Sequence, residues 1–167
     1  MWVTKQMYNG PSRAGFTIVE LLIVIVIIGI LAAITIVAYN GIQGRANDTA
    51  VRNDLTNFAK KLELAKLDGT GGYPTVLTAA MGFQFSRNVY SLDVQNYTLR
   101  YCVNTATDNY IMYARSASGN YFKYTATGGL ESAAATYGYG ICSQIGLTST
   151  NPIANGLVNS TWSAWAN

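Results

Sequence analysis

The chain has 167 residues, about one domain's worth; half are hydrophobic, only 11% are charged, and the net charge is +3. It has no histidine and two cysteines, which excludes Ser-His-Asp and Cys-His catalysis, imidazole-ligated zinc and all-cysteine metal centres. A charged fraction far below the roughly 25% of soluble domains points to a membrane segment or an unusually neutral surface, and so small a net charge predicts no nucleic-acid partner.

The N-terminal stretch, residues 1–15, carries Lys5 and Arg13 as its only charges. An uncharged apolar run follows over residues 21–38, LLIVIVIIGILAAITIVA, and Phe16 to Val19 extend it across a single Glu20. The run approaches the ~20 residues that a spanning helix needs. It exceeds the apolar core of a removed signal peptide, and no small-x-small cleavage site follows it, so a retained membrane anchor is expected.

No proline occurs between residues 39 and 67. Val51, Leu55, Phe58, Leu62 and Ala65 recur at helical spacing and mark one packed face. Arg52, Asn53, Asp54, Lys60, Lys61 and Glu63 fall on other faces. Asp68-Gly69 and Gly71-Gly72-Tyr73-Pro74 stop the helix. A helix over residues 16–67 would be roughly 78 Å long at about 1.5 Å per residue. No small globule contains all of it, so its first half must lie in lipid or against other chains. Gly41 and Gly44 are the places where it could loosen.

Beyond Pro74 the period changes to two. Residues 97–103, 110–115 and 121–125 alternate, with turn residues at Asp108-Asn109 and Ser118-Gly119-Asn120, and predict a three-stranded antiparallel meander. Tyr97, Leu99, Tyr101 and Val103 share one face; Arg100 and Cys102 take the other. Residues 128–167, rich in Ala, Gly, Ser, Thr and Asn, predict mostly loop, with a short helix near 130–135.

Glu20 is the anomaly. A carboxylate inside an apolar run costs several kcal/mol unless paired, and no Lys or Arg lies within the run. A cut between Gly15 and Phe16 would create an α-amine one helical turn from Glu20, in this chain or a neighbour. Otherwise Glu20 sits at headgroup level.

The string Arg13-Ala14-Gly15-Phe16-Thr17-Ile18-Val19-Glu20-Leu21-Leu22 resembles the class III signal of type IV prepilins and related pilin-like proteins. The resemblance implies an α+β, pilin-like fold. One long N-terminal helix, about 16–67, would pack on a small antiparallel sheet, with a loop-rich C-terminal part. It divides the chain into a leader (1–15), an assembly helix (16–38), an amphipathic half-helix (39–67) and a globular head (68–167). It makes Gly15 and Phe16 the cleavage site of a prepilin peptidase, Phe16 the N-methylated residue and Glu20 an assembly residue. It implies a non-enzymatic filament subunit without cofactor or metal, made as a single-pass cytoplasmic-membrane precursor and extracellular after assembly. Its partners would be copies of itself, the peptidase, an inner-membrane assembly platform and minor pilins. The filament would serve adhesion, twitching motility or DNA uptake. A pseudopilin of a secretion or competence system is the alternative within the class; a signal-anchored extracellular binding module is the alternative outside it. Two departures stand out: no proline lies near Val37, and Ala14, not a basic residue, precedes Gly15.

Cys102 and Cys142 could be two buried thiols or a disulfide made in an oxidising compartment. The resemblance implies the disulfide, as a staple of the C-terminal loop. Three glycosylation sequons begin at Asn47, Asn96 and Asn159, a number expected by chance in this composition. Asp93, Asp108 and Glu131 stand singly in turns or loops and suggest no catalytic pair; a calcium-binding role for the Asp108 turn is less favoured than simple turn chemistry.

Overall fold

The computed structural model describes residues 15–69, 71–92, 97–135, 138–147, 153–158 and 161–166. Lys5, Arg13, Ala14, Asp93, Asn96 and Asn159, named above, lie outside them. Residues up to Asn40 and Gly41–Asn167 form two compact units.

A single helix, α1 (Ile18–Asp68), crosses the boundary and continues through Gly41 and Gly44. Its exit follows the local sequence, with Lys66 in the last turn and Gly69 just beyond, a common way to end a helix. In its second half Val51, Leu55, Phe58 and Leu62 are buried, as the spacing predicts. Ala65 is only partly buried, because the chain has turned away at the helix end. Ala59 joins the buried face, widening it beyond the predicted stripe.

Six antiparallel strands form one sheet in the order β4-β3-β2-β1-β5-β6. They are β1 (Tyr97–Asn104), β2 (Asn109–Arg115), β3 (Tyr121–Thr125), β4 (Gly129–Ala133), β5 (Ile153–Val158) and β6 (Thr161–Trp162). The first three are the predicted meander. At the β1–β2 turn the Asn104 side chain accepts from the Ala106 and Thr107 amides at 3.0 and 3.3 Å. Asp108 there takes φ +46°, a conformation that Asp tolerates better than most side chains. Leu99, Tyr101 and Val103 face the core under α1, while Cys102 faces the opposite layer.

The expectation of a helix near 130–135 and loop beyond is corrected. Residues 129–133 form β4, paired on β3 with Lys123 opposite Glu131. So short a segment has weak helical preference of its own, whereas β3 offers a ready row of backbone partners. Residues 153–158 likewise add to the far side of β1. Along that pairing Leu99 faces Leu157 but Arg100 faces Asn155, so Gly156 is an extra, bulged residue. A Cβ there would lie 2.5 Å from Leu99 Cδ2 and 3.1 Å from the Trp165 ring. Glycine is what lets the bulge close against the core.

The sheet is covered on both faces. Phe58 on α1 meets Phe83 at 4.2 Å and Trp165 at 5.7 Å between ring centroids, so the loop after α1 and the C-terminal turn are knit to one helix position. On the other face a 3-10 segment, Gly138–Ile145, packs Ile141 and Ile145 over Ile111 and Tyr113. A disulfide joins Cys102 in β1 to Cys142 in that segment. Asn104 adds a bond to the Ile145 carbonyl at 2.8 Å.

Asp54 was expected on an outer face of α1 and is instead 8% exposed. The Ser86 amide donates to it at 2.7 Å and the Tyr90 hydroxyl at 2.9 Å. Its apparent misplacement is the anchor of the loop after α1: a buried carboxylate is tolerated because donors from that loop satisfy it.

Two outcomes follow for stability. Reducing the disulfide, or replacing both cysteines by serine, should cost about 2–4 kcal/mol; equal melting of parent and variant in detergent would contradict this. Asp54→Ala should cost about 1–3 kcal/mol by leaving the Tyr90 hydroxyl and the Ser86 amide without an acceptor. The pH dependence has a definite sign. Burial raises the Asp54 carboxyl above its ordinary range, against bonds from Ser86 and Tyr90 that lower it. A raised folded pKa contributes stability that is fully present below the unfolded value, about 3.9, and is lost as pH rises through the folded value. The melting difference between parent and Asp54→Asn should therefore shift against the parent as pH rises above about 4. A pH-independent difference would refute the buried-carboxyl account.

Candidate assembly site

Among the described residues, nothing buries the first half of α1. Every large apolar side chain from Ile18 to Val37 is at least 50% exposed. The stretch is long and apolar enough to cross a membrane. It is apolar on all sides rather than along one stripe, which is the pattern of a helix covered all round. Phe16, just ahead of the helix, is 87% exposed.

Glu20 is organised by its neighbours. Thr17 caps α1: its carbonyl accepts from the Leu21 amide at 3.3 Å and its hydroxyl from the Glu20 amide at 3.2 Å. The Glu20 carboxylate reaches back to the Thr17 amide at 2.8 Å and takes the Thr17 hydroxyl at 2.7 Å. This reciprocal arrangement is a capping box, in which side chains at the helix start satisfy backbone donors that have no helical partner. The negative charge also sits at the positive end of the helix dipole. Glu20 therefore has local partners without any external cation. The signal for this role is in the sequence: Thr17-Ile18-Val19-Glu20 has capping-box spacing.

Gly15 adjoins this turn. A methyl group added to it would meet open space, so packing within the chain does not account for a glycine there. The chain thus brings Gly15, Phe16 and Glu20 into one short N-terminal segment. Cys102 and Cys142 form the separate, structural disulfide of the head.

Asp108 and Glu131 each have a structural partner. Lys66 contacts Asp108, and the Tyr73 amide donates to the other Asp108 oxygen at 3.2 Å. The bond from Lys66 holds the Asp108 carboxyl below its usual range, with Tyr73 adding to it against partial burial. Glu131 pairs with Lys123 at 3.1 Å across β3 and β4. Among the described residues no group of three potential metal ligands comes together. Asn47, first residue of a sequon, lies within α1.

With this geometry in hand, comparison with known proteins is informative. Residues 10–36 match the prokaryotic N-terminal methylation motif. The chain is 38% identical over 64 residues to the type II secretion system core protein G of Klebsiella michiganensis, covering 38% of this chain and 44% of that protein. It is 48% identical over 57 residues to the type IV wide pilus major component PilA4 of Thermus thermophilus, covering 34% and 44%. It is 40% identical over 60 residues to a type IV major fimbrial protein FimA of Dichelobacter nodosus, covering 36% and 38%. The match thus spans less than half the length of these relatives. No solved structure matches significantly.

Thr17→Ala should remove the cap at a cost of about 1 kcal/mol. Amide hydrogen exchange of the detergent-solubilised chain should then rise over residues 18–21 alone; unchanged protection there would contradict the capping role. The chain thus carries the prokaryotic N-terminal methylation motif and is similar, over part of its length, to type IV pilins and to type II secretion core protein G.

Proposed function

We propose that the chain is a structural subunit of a type IV pilus filament. It is cut between Gly15 and Phe16 by a prepilin peptidase, methylated on the new Phe16 amine, and polymerised through residues 16–38. The observation that carries this is a helix apolar on every side, left uncovered by the described residues and headed by a carboxylate one turn from the new amine. Before assembly, lipid covers the helix; after assembly, other copies do. Burying a large apolar side chain stabilises by about 1.5–3 kcal/mol relative to water, so the helix does not leave the membrane for solvent. An inner-membrane assembly platform and minor pilins are the partners this route requires. Adhesion, twitching motility and DNA uptake remain the functions such a filament would serve.

A second reading has its own support, since relatives named as type II secretion core proteins match over similar lengths. In that case the polymer is a pseudopilus. Shearing cells separates the two: a pilin appears in the sheared surface fraction, a pseudopilin stays with the envelope. Intact mass of the polymerised subunit tests the processing step. It should correspond to a chain beginning at methylated Phe16, and a chain still beginning at Met1 would overturn it. A bulky residue at Gly15 should leave uncut precursor in the membrane.

Glu20 separates capping from charge pairing. In the polymer its carboxylate would face a Phe16 amine in a water-poor core, where an unpaired cation costs several kcal/mol. Each 1.4 kcal/mol is about tenfold in an equilibrium. Glu20→Gln retains a capping-box residue but loses the charge. Its ratio of sheared to membrane-pool subunit should fall at least about a hundredfold, with membrane levels unchanged, and Glu20→Ala should behave alike. Normal assembly of Glu20→Gln would defeat the charge-pairing mechanism and leave the cap as the only role. A parent with no polymer pool would favour a monomeric anchored module.

A further inference from the structure

α1 has its weakest turns just ahead of its packed half. Tyr39 and Ile42 are 65% and 67% exposed. Gly41 and Gly44 each favour the helix about fivefold less than alanine would, and a methyl group added to Gly41 would meet open space. Apolar packing begins only at Val51, the first buried residue of the helix. An uncovered helical stretch this short has little stability of its own.

What holds the turn before Val51 is polar. The Asn120 side-chain amide donates to Asp48 at 2.7 Å, and the Ser118 hydroxyl donates to its other oxygen. Partial burial raises the Asp48 carboxyl, but bonds from Ser118, Asn120 and Ser116 and the Arg52 charge outweigh it and hold it below the usual range. The acceptor is thus ionised and its bonds are charge-assisted. The β2–β3 turn that supplies the donors, residues 116–120, is itself fixed. Within it the Ser116 amide donates to the Asn120 carbonyl at 2.9 Å and the Gly119 amide to the Ser116 carbonyl at 3.0 Å. The Ala117 amide donates to the Val89 carbonyl at 2.8 Å, on the loop that Asp54 anchors. Gly44 lies against this turn, since a methyl group added to it would be 3.6 Å from Ser118 Cβ, an ordinary contact.

We propose that the β2–β3 turn is a stop for α1: opening that begins at Gly41 and Gly44 ends before Asp48, and the turns that carry Val51 and Leu55 stay helical and packed. A helix opens most readily where its residues are uncovered and its propensity is low. Opening that spreads through residues 45–47 reaches Asp48 next. There it must draw an ionised carboxylate away from two fixed donors, which apolar packing one turn later does not by itself prevent. One turn further on, the Arg52 guanidinium donates to the Ser132 hydroxyl of β4 at 3.2 Å and fastens the helix to a second element. α1 can therefore loosen ahead of the head without its core-packed turns following. The inference does not depend on polymerisation.

The test is residue-resolved amide hydrogen exchange of the full chain in phosphocholine micelles. Amides 49–51 donate to the carbonyls of residues 45–47, so they report whether those residues stay helical. In the parent, amides 42–46 should exchange at least about tenfold faster than amides 49–51. Asp48→Ala should speed exchange at 49–51 at least about tenfold, with the amides of β1 and β2 unchanged. The sign is diagnostic: alanine favours helix more than aspartate does, so a purely local effect would slow exchange there. Asn120→Ala removes one donor and leaves the sequence of α1 untouched. It serves if Asp48→Ala loosens the whole head, and should move amides 49–51 in the same direction. Gly41→Ala should slow amides 42–46 about fivefold and leave 49–51 as they are. Equal protection of 42–46 and 49–51 in the parent, or unchanged or slower exchange at 49–51 in both Asp48→Ala and Asn120→Ala, would overturn the proposal.

Discussion

An α-helix satisfies its backbone hydrogen bonds within itself, and this lets α1 present two different surfaces along one chain. Over residues 21–38 no side chain asks for water, and the internal hydrogen bonding is what makes such a surface tolerable in lipid. Past Gly41 the same ladder carries a one-sided stripe, and a sheet covers it. Had the first half been built as a lone strand, its edges would have required backbone partners that lipid does not provide.

Polar groups in this protein are placed where they fix geometry. Thr17 and Glu20 close the start of α1 upon each other. Asp54 holds the loop that follows α1 through Ser86 and Tyr90. Lys66, Asp108 and Tyr73 gather the helix end and the β1–β2 turn, with the Lys66 ammonium 4.3 Å from the Tyr73 ring centre. Each group is short-ranged and each joins segments that apolar packing alone would leave free to slide. A core of interchangeable aromatics fills space well, but it specifies register less sharply than a buried carboxylate with two donors.

The head is a sheet with two dissimilar covers. The α1 side is dominated by aromatic contacts centred on Phe58. The other side is a short 3-10 segment that contributes few apolar side chains and is tied down by the disulfide. A cover this small gains little from burial, so the covalent link compensates for limited core size.

Residues near in sequence wrote their own structure, and the primary sequence determined those parts. The apolar run, the period of Val51, Leu55, Phe58 and Leu62, the stop at Asp68-Gly69 and the three alternating strands depend on neighbours a few positions away. So does the Gly15-Phe16 to Glu20 segment, which carries the likeness to the N-terminal methylation motif. The capping box was equally local and legible from Thr17 and Glu20. What the tertiary structure decided involves partners far along the chain. Asp54 reads as a surface residue until Ser86 and Tyr90 arrive to bond it. Residues 129–133, where a short helix is expected, and 153–158, where loop is expected, become strands because β3 and β1 each have an unsatisfied edge. Gly156 is one more small residue in a small-residue tract until Leu99 and Trp165 close over it. Asp48 meets Ser118 and Asn120, and Arg52 meets Ser132, only because the β2–β3 turn and β4 come to rest beside α1. Local periodicity carries no record of such meetings, since their energy comes from desolvated groups whose partners are set by the fold.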